Sequence, residues 1–209
     1  MKNSPLLNLF AAAAVASSVL LIAKPASAAD DPATTTARTG TYTTSKGGSG
    51  TASSTTTRAN GTMERKGTWT NAAGGTGTFQ GQRAWNKATQ TGTFNGSATR
   101  PNGATTSWQG TAARSAPGVI SAKGTITTAT GQQDTFTSTD TRVAPGSWDK
   151  TQVITTASGK TVDRSVDTSV AGGNGTRTVT TTLPNGQTAT RDASFTQTVS
   201  HTPAATPTN

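Results

Sequence analysis

Residues 114–131 read RSAPGVISAKGTITTATG, and residues 142–159 read RVAPGSWDKTQVITTASG. The two stretches lie 28 residues apart and agree at nine of 18 positions, among them Arg114 and Arg142, Pro117 and Pro145, and Ile126 and Ile154. Matches of Thr come cheaply in a chain with 48 threonines, but matches of Arg, Pro and Ile do not. Residues 179–186, VTTTLPNG, look like a third copy with one residue inserted. Each of the first two copies contains two turn signals. A proline presets φ for a turn, and a glycine accepts the positive φ that tight hairpins demand. The 28-residue unit is therefore two strands and two turns, and self-similarity at a fixed period marks an array of neighbouring units.

Working outward, turn glycines recur at Gly61, Gly75, Gly103, Gly118, Gly131, Gly146, Gly159, Gly175 and Gly186, with a weaker turn near Asn86-Lys87. A turn about every 14 residues leaves roughly ten for each strand. The segments between turns are rich in β-branched Thr and Val, which suit a pleated surface. Thr-x-Thr alternation (Thr68-Trp69-Thr70, Thr135-Phe136-Thr137, Thr178-Val179-Thr180) puts hydroxyls on one face and an apolar residue on the other. In Gly67-Thr68-Trp69, Gly77-Thr78-Phe79 and Gly92-Thr93-Phe94 the glycine and the ring share a face, so a ring is expected over bare backbone. The expected fold is all-β: repetitive antiparallel strands in a meander or a sandwich- or solenoid-like array, with about 14 residues per strand and turn and about 28 per unit.

The chain has few large apolar residues. After residue 28 there are 22 (Val, Ile, Leu, Met, Phe, Tyr, Trp) in 181 positions, and the one leucine is Leu183. That scarcity rules out an ordinary helical bundle, makes an α/β enzyme improbable, and throws the fold onto backbone pairing. Residues 1–28 have the parts of a cleaved export signal: Lys2, an apolar run from Leu6 to Ala23, and Ala26-Ser27-Ala28 as the cleavage site. Residues 29–58, with Tyr42 as the one large apolar side chain, read as a flexible Thr/Ser/Gly-rich arm. The repetitive β domain is expected over 59–200, and 201–209 reads as a frayed tail. The destination is export, to the periplasm, cell surface or medium, with no stable membrane span after signal cleavage.

Chemistry is sparse. There is no Cys, and the one His is His201, so nucleophile–His catalysis and Cys/His metal sites are excluded. Asp163 and Asp167 are four apart on one strand face, a spacing that also suits solvated surface acids. No cofactor motif occurs, and no enzymatic activity is expected. Charge is uneven. From Arg38 to Lys123 ten basic residues meet one acid, Glu64, and from Asp134 onward six bases meet six acids. Trp69, Trp85, Trp108 and Tyr42 share the basic half.

Three functions follow as expectations. The first is an exported, non-catalytic repeat protein with a structural or adhesive role, able to self-associate through open sheet edges. The second is a module for an anionic polymer (an acidic glycan, lipopolysaccharide or nucleic acid), with Trp85 and Trp108 stacking and Arg65, Lys66, Arg83 and Arg100 making charge contacts. The third is ice binding, because the Thr-x-Thr rows resemble those of some repetitive antifreeze proteins.

Overall fold

Thr-rich alternation and evenly spaced turns give strands wherever the structure is described. The computed structural model describes residues 33–201. Its strands are β1 (Thr34–Thr44), β2 (Ser49–Ala59), β3 (Thr62–Thr70), β4 (Thr76–Asn86), β5 (Thr91–Thr99), β6 (Thr105–Ala116), β7 (Val119–Thr127), β8 (Gln133–Ala144), β9 (Ser147–Thr155), β10 (Thr161–Ala171), β11 (Asn174–Thr182) and β12 (Thr188–His201). Each pairs antiparallel with its sequence neighbours, and β1 closes the circle on β12, from Thr34 opposite His201 to Thr44 opposite Arg191. The all-β meander is therefore a closed barrel, not a sandwich or solenoid, and no strand keeps a free edge.

The 28-residue repeat is one hairpin of this barrel, and its two ends are built differently. At one end, six loops each carry a glycine at φ of 77° to 81°: Gly47, Gly74, Gly103, Gly131, Gly159 and Gly186. At the other, two-residue turns join the strands at Asn60-Gly61, Pro117-Gly118, Pro145-Gly146 and Gly172-Gly173, with a four-residue turn at 87–90. The last residue of each such turn offers its carbonyl to an amide 24 positions on. Trp85 N donates to Gly61 O, Arg114 N to Gln90 O, Arg142 N to Gly118 O, Val170 N to Gly146 O and Gln197 N to Gly173 O, at 2.7–3.0 Å. This ring of bonds ties each hairpin to the next and satisfies backbone groups that a bare barrel rim would leave to water.

Three sequence expectations need correction. The turn glycines near 75 and 175 are Gly74 and Gly173, while Gly175 lies within β11. Residues 33–58, expected as a flexible arm, form β1 and most of β2; backbone pairing on both sides orders them although Tyr42 is their one large apolar side chain. The export signal, residues 29–32 and residues 202–209 lie outside the described residues, and His201 ends β12.

Register fixes which side chains enter the barrel. Opposed pairs such as Arg38/Ser54, Trp69/Gly77, Asp140/Lys150 and Val166/Val179 face one another around the circle. Following that parity, all nine aromatic residues of the strands, from Tyr42 to Phe195, sit at inward positions. Outward positions carry mainly Thr, Ser, Gln and Asn. Trp69, Phe79, Phe94, Trp108, Phe136 and Ile154 belong to one buried cluster that fills part of the interior.

Rings do cover glycines, but across the ladder rather than along the strand. Trp108 is paired with Gly96, and a Cβ on Gly96 would overlap the indole and come within 2.6 Å of Gln80 O. Gly77 sits under Trp69 in the same way. A barrel so poor in aliphatic residues thus packs its large rings flat against the wall, where only glycine leaves room.

Candidate functional site

The same parity that buries the rings buries most of the arginines, with Arg114 and Arg142 exposed near the ends of their strands. Of the ten arginines after residue 28, nine occupy inward strand positions, and Arg100 lies at the β5–β6 connection. Lys150 also faces inward, opposite Asp140. The outward strand positions instead hold Glu64, Asp149, Asp163, Asp167 and Asp192 against Lys66 and Lys123. The barrel is therefore basic inside and mildly acidic outside.

Four of the inward arginines, Arg38, Arg65, Arg177 and Arg191, line a cavity of about 110 Å³ together with Tyr42 and Ser54. Three of them rest on aromatic faces: Arg191 on Tyr42 (3.5 Å to the ring centroid), Arg38 on Phe195 (5.2 Å) and Arg65 on Phe79 (5.4 Å). Stacking of this kind holds the guanidinium planes in place and lowers the cost of desolvating them. Arg65 Nη2 donates to Ser54 Oγ at 3.0 Å, Arg38 Nε to Gln197 Oε1 at 2.8 Å, and Tyr42 Oη to Thr70 O at 2.7 Å. The buried Nε atoms of Arg58 and Arg177 find no acceptor among the described residues.

This concentration of cations costs free energy. Desolvation, then repulsion from Arg38, Arg177 and Arg58, pushes Arg65 down to about 9. Arg177 falls to about 10, first by burial and then through Arg191 and Arg38, with Asp140 opposing. Burial takes Lys150 down to about 8, against the pull of Asp140 and with the push of Arg164, Arg177 and Arg83. The Asp140 carboxyl is raised by its own burial, which outweighs Lys150, Arg83 and Arg177. Lys150 Nζ is 3.9 Å from Asp140 Oδ2, too far for a hydrogen bond.

A lysine whose folded pKa lies below its unfolded value binds fewer protons folded than unfolded between the two. Stability therefore rises as pH climbs from about 8 toward the ordinary lysine value of 10.5. In chloride buffer the melting temperature is expected to be higher at pH 9.5 than at pH 7. Thermal melts across that range check it, and a fall would show that the buried bases do not burden the fold.

The residues expected to bind a polymer do not form one surface. Arg65 and Trp108 are buried inside. Arg83 faces inward, stacked on the half-buried Trp85 at 4.8 Å. Lys66 points outward, and Arg100 sits at a loop on the rim. Sequence reasoning missed Arg38, Arg58, Lys150, Arg164, Arg177 and Arg191. Asp163 and Asp167 share the outer face of β10, and Asp167 stands opposite Asp149.

A comparison with known protein families finds no match, and neither does one with curated proteins. Solved structures to which the chain has a low overall similarity include mutants of the Rhodopseudomonas blastica porin. One mutant of the Rhodopseudomonas blastica porin has a TM-score of 0.45 at 7% identity, covering 79% of this chain and 99% of that chain. A triple mutant of the same porin has a TM-score of 0.43 at 8% identity with the same coverage. A structure described as "Asymmetric conductivity of engineered proteins" has a TM-score of 0.45 at 8% identity, again with that coverage.

The closed barrel and its buried interior correct the functional expectations. A structural or adhesive array with self-association through sheet edges required an open sheet, and closure of β1 on β12 removes its edges. Polymer binding required one outer surface of aromatic and basic side chains, but Trp108 and Arg65 are buried inside, Arg83 faces inward, and Lys66 and Arg100 stand apart on the wall and the rim. Ice binding required a flat Thr array, whereas the outward Thr rows wrap a closed, curved wall. The coarse destination, export into or beyond the cell envelope, agrees with the barrel form.

Proposed function

We propose that this chain is an exported, non-catalytic barrel that binds a small oxyanion in its arginine-lined interior. The observation that carries this reading is the cavity shared by Arg38, Arg65, Arg177 and Arg191, whose lining includes no carboxylate. A compact anion satisfies several guanidinium forks at once and relieves their mutual repulsion. The cavity is far too small for a polymer and suits an ion of a few heavy atoms with its waters.

An aqueous setting, in the periplasm or beyond, fits the outer wall better than a bilayer does. A lipid-facing barrel carries an apolar band flanked by aromatic girdles. The outward strand positions here hold no aromatic residue among the described residues, and they include five carboxylates.

Thermal melts of the mature protein test the reading. Phosphate or sulphate at about 100 times its dissociation constant adds about 2.7 kcal/mol of stability, an upward shift of roughly 5–10 °C over chloride at equal ionic strength. If neither of these anions moves the transition more than chloride does, the proposal fails.

A further inference from the structure

The wall of the arginine cavity is of two kinds. Arg38, Arg65, Arg177 and Arg191 share it with Ala52, Phe79, Val179, Ala193 and Phe195. Register interleaves them. Ala193 stands between Tyr42 and Arg177 in one row of the ladder, and Val179 stands beside Arg191 in the next. Other inward donors are few. Tyr42 Oη is spent on Thr70 O, Ser54 Oγ already takes a bond from Arg65 Nη2, and Thr168 adds one hydroxyl beside Arg177. A tetrahedral inorganic ion carries acceptors on every side. Among interleaved apolar positions, some of its oxygens exchange water for Val179, Ala193 or a ring and gain no donor in return. That loss costs a charged group more than burying a methylene gains.

A carboxylate has two coplanar acceptors and nothing polar behind them. Arg177 lines the cavity and carries a buried Nε with no acceptor. A guanidinium fork of that kind takes a carboxylate through two parallel bonds. The carbon body behind the carboxylate then meets the apolar stretches of the wall instead of water. Volume limits that body. An apolar cavity of about 150 Å³ accepts benzene, whereas this one measures about 110 Å³. Resting on the anion-binding reading above, we infer that the preferred ligand is a short-chain monocarboxylate, propionate in chemical class, with its carboxylate among the guanidiniums and its chain against Val179, Ala193 and Phe79.

Calorimetric titration of the mature protein at pH 7 with acetate, propionate, benzoate, phosphate and sulphate tests this. Propionate is expected to bind about fourfold more tightly than acetate, the worth of one buried methylene. It is expected to exceed phosphate and sulphate by at least about tenfold, and benzoate is expected to bind more weakly than propionate. Val179→Thr puts a hydroxyl into the apolar wall at nearly unchanged size, so the ratio of propionate to acetate affinity is expected to fall toward one. Circular dichroism checks that this variant folds, and the wild-type series decides on its own if it does not. Acetate, benzoate, phosphate or sulphate binding as tightly as propionate overturns the short-chain assignment and leaves the anion-binding reading intact. A folded Val179→Thr that keeps the full ratio overturns the placement of the chain on this wall. Binding of none of these ions overturns the anion-binding reading itself. Propionamide, the same body without the charge, overturns both if it binds as tightly as propionate.

Discussion

Replacing Arg177 with Met is expected to raise the melting temperature of the anion-free barrel and to abolish its response to phosphate. Arg177 is the junction of the interior charges: it acts on Arg65, Arg164, Lys150 and Asp140, and its own cation is held down by burial and by Arg191 and Arg38. With its Nε unpaired, the residue contributes repulsion and an unmet donor to the empty fold. Met is comparable in length, apolar and adaptable, so it fills much of the same space without either cost. Exchanging buried ionic groups for packed apolar side chains stabilises other proteins by about 1–4 kcal/mol, which for a chain of this size is about 2–16 °C. Loss of one Asp140 partner subtracts from that gain, and the remaining Lys150 and Arg83 limit the subtraction. A stability gain coupled to a binding loss is what separates a ligand site from structural scaffolding. An Arg177→Met protein that melts lower than wild type, or that still responds fully to phosphate, contradicts the assignment. Lys66→Met, on the outer wall, should leave the phosphate response unchanged.

The sequence carried the repeat because a hairpin is a local object. The Pro-Gly pairs at 117–118 and 145–146 and the loop glycines Gly131 and Gly159 announce their turns in the residues themselves. Closure was not legible. Whether the last strand meets the first depends on strand number and stagger summed around the circle, and the seam joins Thr34 to His201 with no local signature. The arginines were misread for a different reason. Charged side chains are mostly solvated, so composition places them outside. Strand parity says otherwise: Arg65 lies two residues after Met63, Arg83 two before Trp85, and Arg38 four before Tyr42, each on the ring-bearing face. Applied consistently, period two would have found the interior site. Residues 33–58 escaped because their order comes from partners on β3 and β12, not from their own side chains.

Trp108→Ala is expected to cost about 3–5 kcal/mol, the loss seen when a large buried aromatic is truncated. The barrel has few side chains of this size, and its rings must replace the aliphatic mass that other cores contain. Trp108 is 9% exposed, belongs to the main buried cluster, and roofs Gly96, which has no side chain to fill the space left behind. On its other side Trp108 is paired with Ile126, which is already packed against the same cluster. The melting temperature should drop by roughly 6–20 °C. Thr125→Ala, on the outer wall of β7, should change stability by no more than about 0.5 kcal/mol. The pair of melts weighs the two supports of the fold against each other. If Trp108→Ala loses no more than Thr125→Ala, ladder hydrogen bonds and circular closure hold the molecule without its rings. If the large loss appears, the aromatic part of the interior stabilises a barrel whose arginines repel one another, and an anion bound among them would add to stability rather than merely occupy space.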